Sequence, residues 1–318
     1  INRTYQLRGK PGYVLQCVNK NVFQNPEAVA TNIRQAADYL KEKHPYYLFL
    51  TPVSTVSGTD YAYDEELNPW RLFPYFENSY TINEAKRPQQ AYDAAQAFGQ
   101  LASHLCGCQS TAFQPTIPEF HNLGLRYKQF EEARLHASAE RRAAASSLID
   151  QATQFHFLVE RYHHLISSGE LMPRIFHNDT KINNVLFDAT TDKPLAVIDL
   201  DTLMPGYFIY DLGDLIRTLV SPVSEEEKDV STIRYRDEFY DAVISGYLSA
   251  MEKQLTKEEL HHTTFAGPMM TYIMALRFLA DFLRGDTYYH IHYPTQNFVR
   301  AANQLRLLEL LLVNRPLS

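Results

Sequence analysis

Cysteine is scarce in this chain of 318 residues, and Cys17, Cys106 and Cys108 are its three thiols. Three thiols cannot build a disulfide framework, and Cys106-Gly107-Cys108 has no second ligand pair with which to hold zinc. Free thiols fit a reducing compartment, so a cytoplasmic protein is expected. Long apolar runs are missing too. A membrane-spanning helix needs about eighteen or more consecutive apolar residues, and the strongest candidate, residues 305–313, is broken by Arg306 and Glu309. Positive charge is in deficit: 30 Lys and Arg stand against 37 Asp and Glu, and a net charge of −7 argues against a nucleic-acid surface. The acidic residues are scattered, with Glu225, Glu226 and Glu227 reading as a solvated helix start, so no cationic substrate follows from composition. No repeat is found, and Ala143-Ala144-Ala145 is the one low-complexity run. What is present, 45% hydrophobic residues over this length, is enough for two lobes of one unit.

The polar residues that stand out are gathered in one stretch, Arg174-Ile-Phe-His-Asn-Asp-Thr-Lys-Ile-Asn-Asn-Val-Leu-Phe-Asp188, followed by Ala196-Val-Ile-Asp-Leu-Asp-Thr202. Residues 185–187 and 195–198 read as two short strands joined by a hairpin over residues 189–194. That hairpin brings His177, Asp179, Lys181 and Asn184 together with Asp199 and Asp201. Such a set supplies what phosphoryl transfer needs, which is positioning and charge neutralisation. Asp179 suits the carboxylate that orients an attacking hydroxyl and accepts its proton, and Lys181 offers a fixed charge to the phosphate. Asn184 and Asp199 are hard oxygen donors of the kind magnesium takes alongside phosphate oxygens. His177 reads as a brace for the loop, and Asp211 and Asp214 as first-turn residues of a helix over 212–220.

His177-x-Asp179-x-Lys181-x-x-Asn184 followed by Ile198-Asp199 resembles the catalytic and metal-binding signature of the protein-kinase-like phosphotransferases. Leu200-Asp-Thr-Leu-Met-Pro-Gly206 and Tyr210-Asp-Leu-Gly-Asp214 are similar to the aminoglycoside and choline kinase group. Within it, the wording around His177–Asp188 and Tyr13–Phe23 most resembles the bacterial N-acetylhexosamine 1-kinases. The resemblance implies a two-lobed α+β fold, with a small antiparallel sheet lobe carrying one helix (residues 1–78) and a larger helical lobe (79–318). It implies ATP as phosphate donor, Mg²⁺ as metal and a sugar as acceptor. An aminoglycoside, choline or amino-alcohol kinase is the first alternative, and a nucleotide-binding pseudokinase the second.

In chain order, strands are expected at residues 2–7 and 13–18, a helix over 27–40, and strands at 46–53, 61–63 and 70–76. Beyond residue 81 the pattern turns helical: 85–106, 126–137, 140–168 ending at Gly169, then 229–257, 263–284 and 295–312. The resemblance places a glycine-rich phosphate loop upstream of Ile1, with Thr4 bordering the phosphates. It puts a lysine near Gln16, where this chain has an amide; Gln16 itself, Lys20 or Arg8 would then serve the phosphates. Residues 70–78 stand at the hinge, where the backbone of Pro74 to Glu77, with Phe76, Leu186 and Ile198, would meet adenine. For the acceptor, Asp201 and Thr202 lie near Asp179 by covalent necessity, and Arg277 and Tyr288 are implied by the hexosamine kinases. Arg277 and Asp281, four apart, also read as an ordinary helix-surface pair.

Overall fold

In the computed structural model, which describes residues 2–317, strands β1 (Arg3–Leu7) and β2 (Tyr13–Cys17) form the expected hairpin, with Thr4 opposite Gln16. Helix α1 (Pro26–Lys43) follows. Asn25 caps it by accepting the Ala28 N–H, proline occupies its first turn, and Val29, Ile33, Ala36 and Leu40 are buried. Strands β3 (Ala62–Tyr63) and β4 (Pro69–Pro74) complete a sheet of order β1-β2-β4-β3, in which Gln16 lies directly opposite Arg71.

The strand expected at residues 46–53 does not form. Pro52 has no N–H to give a ladder, and one bond, Val53 N–H to the Leu72 carbonyl at 2.7 Å, ties the segment to β4. Tyr47, Phe49 and Leu50 serve packing instead, with Leu50 beside Phe73, while Tyr46, Leu48 and Val53 stay exposed.

Strand β5 (Ser79–Tyr80) leads out of this sheet and pairs with β7 (Val185–Asp188), which pairs with β8 (Pro194–Val197) as the expected hairpin. Two strands of three residues, β6 (Arg174–Phe176) and β9 (Met204–Gly206), pair on either side of it and were not foreseen. The rest is helical. Between β5 and β6 run α2 (Pro88–Leu105), α3 (Leu123–His136), α4 (Ala139–Ala144), α5 (Ser146–Gln154) and α6 (Phe157–Ser168), the last ending at Gly169 with φ 74°. After β9 come α7 (Phe208–Leu219), α8 (Asp237–Met251), α9 (Lys257–His261), α10 (Thr263–Leu283) and α11 (Gln296–Asn314).

Two expected helices are cut. The span 140–168 breaks near Ala145 and at Phe155–His156. The span 229–257 becomes helical only at Asp237, because Arg236 is extended and spends its guanidinium on the carbonyls of Leu219, Val220 and Ser221, satisfying the end of α7. Helices α7 and α10 form the centre of the large lobe and touch so closely that a Cβ on Gly213 would lie 2.4 Å from the Ala266 carbonyl oxygen. Phe265, Phe278 and Tyr272 are buried there, each contributing about 2–3 kcal/mol of apolar burial. The whole is a two-lobed α+β fold of the kinase-like kind, and no helix among the described residues is long and apolar enough to cross a membrane.

Candidate active site

The loop between β6 and β7 is held from beneath. Asp211, on the first turn of α7, accepts the backbone N–H of His177 at 3.2 Å and of Asn178 at 2.7 Å, and its carbonyl accepts Thr180 Oγ1 at 2.7 Å. Asn178 adopts φ 63°, and its Nδ2 donates to the carbonyls of Phe176, Thr202 and Met204, tying the loop to the segment after Asp199. Gly206 leaves room for this, since a Cβ there would stand 2.6 Å from Asn178 Oδ1. His177 Nδ1 accepts the Asp179 N–H at 3.2 Å. Its Nε2 therefore carries the ring proton and donates to the Ile198 carbonyl at 2.9 Å, bridging the catalytic loop to the strand that ends at Asp199.

Around this loop the charged groups converge. Lys181 Nζ lies 3.0 Å from Asp179 Oδ1, and Asn184 Nδ2 donates to the Asp179 carbonyl at 2.9 Å and to its Oδ2 at 3.3 Å. Burial alone would raise the Asp179 carboxyl, but Lys181, His177 and Arg217 outweigh it and hold the group below the ordinary carboxylate value. Asp179 is thus an anion, able to accept a hydroxyl's proton. Arg217 is itself pinned by Asp214 (2.7 Å) and Glu225 (2.7 Å).

Asp199 sits in the left-handed region at φ 59°, a conformation that costs a residue with a side chain and concentrates at functional sites. Burial, then Asp201 and Asp179, push its carboxyl up to about 6, against the pull of Arg71. A carboxylate crowded by two others calls for a cation. Asn184 spends its Nδ2 on Asp179, which leaves its Oδ1 as an acceptor on the same side. Among the described residues no three His, Cys, Asp or Glu groups could hold a metal ion. One carboxylate and one amide oxygen suit a hard ion such as Mg²⁺, which takes one or two protein oxygens and completes its shell with phosphate and water.

Behind these groups opens a cleft between the sheet and the hairpin. Val14, Leu50, Phe73, Phe76, Leu186, Ala196 and Ile198 form an apolar cluster separate from the main core. Gln16, Arg71, Pro74, Tyr75, Ser79, Asn184, Asp199 and Leu200 line the same cavity. Of the residues expected at the nucleotide, Gln16, Pro74, Phe76, Leu186 and Ile198 therefore face one slot. Thr4 and Glu77 do not line it: Thr4 Oγ1 takes a long 3.3 Å bond from Gln16 Nε2 on the exposed side of the sheet. Lys20 turns away to the Glu66 carbonyl at 3.3 Å, and Arg8 is exposed. Gln16 accepts from Arg71 Nε at 3.1 Å and Nη2 at 2.9 Å. Arg71 was not anticipated, although a charged residue two positions from Phe73, on the inward face of a strand, was a signal for it.

Asp201, expected at the acceptor, faces the cleft side instead: Arg71 Nη2 stands 2.5 Å from its Oδ1 and Asn2 Nδ2 donates to its Oδ2 at 2.7 Å. Thr202 is buried, and its Oγ1 has no hydrogen-bond partner. Arg277 and Tyr288 line a different cavity with Phe120, Arg126, Arg284 and Tyr289. The Arg277 guanidinium packs 5.4 Å from the Phe120 ring, 5.9 Å from Tyr288 and 5.6 Å from Tyr289. His121, also unanticipated, links the two regions. It is buried, lies within electrostatic reach of both Asp179 and Arg277, and burial drives its imidazole down to about 4.

Among solved structures, the chain is similar to an aminoglycoside phosphotransferase from Alicyclobacillus acidocaldarius at 12% identity, with a TM-score of 0.65 over 98% of this chain and 90% of that one. An amicoumacin kinase in complex with AMP-PNP and Ca²⁺ matches at 15% identity and a TM-score of 0.62, over 100% of this chain and 87% of its own. A microcompartment-associated aminopropanol kinase matches at 15% and 0.62, over 100% and 94%. At such identities the likeness concerns the fold. Residues 1–253 match the model of the phosphotransferase enzyme family, so the chain belongs to that family.

Proposed function

We propose that this protein transfers the γ-phosphate of ATP, with Mg²⁺, to a sugar hydroxyl, the anomeric hydroxyl of an N-acetylhexosamine. Asp179 orients that hydroxyl and takes its proton, while Lys181 turns its charge from Asp179 to the phosphate. Asn184 and Asp199 would hold the metal, which neutralises the charge of the phosphates. Val14, Phe73, Phe76, Leu186 and Ile198 clasp the purine, with the backbone from Pro74 to Phe76 along its edge. Thr202, Arg277 and Tyr288 contact the acceptor.

The observation that carries the sugar reading is the charge of the acceptor cavity. Arg126, Arg277 and Arg284 line it together with Asp281, whose carboxylate is spent on the N–H groups of Thr287, Tyr288 and Tyr289, and among the described residues none of the three arginines has a carboxylate within 4 Å. Arg126 donates to the Glu119 and Phe120 carbonyls and to Gln129 Oε1, and Arg284 to the Gln129 carbonyl. Three guanidinium groups repel an amine such as the acceptor named for the aminopropanol kinase. They suit the carbonyl and hydroxyl oxygens of an acetamido sugar, whose apolar face can rest on Tyr288.

The test is Mg²⁺-dependent ADP release from ATP against hexoses, N-acetylhexosamines, aminoglycosides, choline and aminopropanol, with the product's phosphate placed by NMR. Turnover with an N-acetylhexosamine to a 1-phosphate supports the reading. Turnover confined to amines overturns the acceptor assignment and leaves the catalytic loop as described.

A further inference from the structure

We propose that Arg71 is the cation that grips the nucleotide's phosphates, taking from β4 the part that a β2 lysine would otherwise play, with Asp201 as the carboxylate that holds it. The inference rests on the reading of the cleft as a nucleotide site. Its starting point is a vacancy of charge: β2 offers Gln16, and among the residues lining the cleft Arg71 is the one cation. The register places the two directly opposite each other on neighbouring strands. An arginine reaching across from position 71 can therefore bring its charge to the place where a lysine at 16 would end.

The side chain is built in. Arg71 is 6% exposed, its guanidinium packs 5.0 Å from the Phe73 ring, and Gln16 Oε1 accepts both its Nε and one Nη2 proton. Asp201 Oδ1 stands 2.5 Å from Nη2 as an ion pair. The Gln16 bonds and the ion pair orient the fork; among the described residues Nη1 makes no hydrogen bond, and Arg71 lines the cavity together with Asn184 and Asp199. Phe73 belongs to the apolar purine slot and Arg71 lies two residues along the same face, an advance of about 6.5 Å from base toward phosphate.

Helix α1 supplies no carboxylate to this cation. Its fully buried polar residue is Asn32, which is tied to the Gln114 and Leu203 carbonyls. The holding carboxylate comes instead from Asp201, two residues after Asp199 within the single turn Leu200–Thr202. Phosphate grip and metal-side carboxylate thus share one turn of backbone, and a guanidinium has donors enough to serve Gln16, Asp201 and a phosphate oxygen at once.

The test is calorimetric titration of adenosine, ADP and ATP, with Mg²⁺, into the wild-type protein and three variants. Arg71→Gln is expected to weaken ADP and ATP by 10- to 100-fold and to leave adenosine within twofold. Arg71→Gln with Asp201→Asn removes both charges, avoids a lone buried carboxylate and should show the same selective loss. Gln16→Lys with Arg71→Gln returns a cation to β2 and should restore ADP binding to within a few fold. Equal weakening of adenosine and ADP, or an unchanged ratio of ATP to adenosine affinity, overturns the role of Arg71 while leaving the cleft a nucleotide site. Failure of the wild-type protein to bind all three ligands overturns both.

Discussion

Asp281 does not face Arg277, four residues before it on α10. Its carboxylate accepts the backbone N–H of Thr287, Tyr288 and Tyr289, at 3.0, 2.8 and 2.9 Å, together with Asn297 Nδ2 at 2.9 Å. The surface pair that their spacing suggested is absent, and the arrangement sets a buried loop anchor beside a cation with no carboxylate of its own. The two residues should therefore fail in different ways. Asp281→Ala strands buried N–H groups and should lower stability by about 2–3 kcal/mol in denaturant titration. Arg277→Ala strands no partner, so stability should change by less than about 1 kcal/mol, while KM for the acceptor rises roughly 10- to 100-fold, the worth of charged hydrogen bonds. Equal destabilisation by both, with the acceptor KM unmoved, would remove Arg277 from the acceptor site.

Asp179 meets Lys181 through Oδ1 and Asn184 through Oδ2; an amide in its place keeps one side-chain oxygen for Lys181, while Asn184 keeps the Asp179 backbone carbonyl. Asp179→Asn should accordingly fold normally and bind Mg²⁺-nucleotide within about threefold, while kcat falls by roughly 10² to 10⁴, the usual worth of a positioned base. Single-turnover kinetics separate the two effects. Turnover close to that of the wild type would sink the assignment of Asp179 as base.

How much of this was legible in the chain depends on how local each feature is. The β7–β8 hairpin was, because His177, Asp179, Lys181 and Asn184 sit in one stretch between apolar runs, and a hairpin brings Asp199 back to them. The helix stop at Gly169 was also legible, since only the left-handed region was at issue. Residues 46–53 read as a strand because their apolar run outweighed Pro52, the one local sign against a ladder, and the breaks near Ala145 and Phe155 carry neither glycine nor proline. Arg71 was out of reach for a different reason: its partners are Gln16, on a strand 55 positions earlier, and Asp201, 130 positions on. Asp281 was misjudged because the four-residue spacing to Arg277 outweighed the unseen loop of N–H groups beyond Gly285.

Asn32 joins the two lobes through a fully buried amide. Its Nδ2 donates to the Gln114 carbonyl at 2.7 Å and the Leu203 carbonyl at 2.9 Å, and its Oδ1 accepts the Gln114 N–H at 3.0 Å. Asn32→Ala leaves all three backbone groups without that partner in a dry interior, at a cost of about 2–4 kcal/mol. Because Leu203 follows the turn that carries Asp199 and Asp201, nucleotide affinity should fall with stability. Differential scanning calorimetry with and without Mg²⁺-ATP checks both, and a destabilised variant with undiminished ligand-induced stabilisation would show that α1 does not position that turn.

His121 gives stability a distinct dependence on pH. Its ring donates through Nε2 to the Asn178 carbonyl at 2.8 Å, its Nδ1 has no partner, and burial, helped by Arg277, holds the imidazole near 4. The unfolded chain's imidazole titrates near 6.5, so between about 6.5 and 4 the unfolded state binds the proton and the folded state does not. Stability from this residue is present above pH 6.5 and is lost as the pH falls, by up to about 3 kcal/mol. Asp199 and Asp211, both raised to about 6, act in the opposite sense over the same interval, since their folded forms bind protons more readily. The wild-type profile sums these effects, and a comparison with His121→Gln isolates one of them, because Gln retains a donor for Asn178 and has no proton to gain. Urea titrations from pH 7 to pH 4 should show wild-type stability falling relative to the variant by about 3 kcal/mol, with the divergence beginning near 6.5. Parallel profiles would mean that His121 accepts a proton as readily in the folded protein as in the unfolded chain.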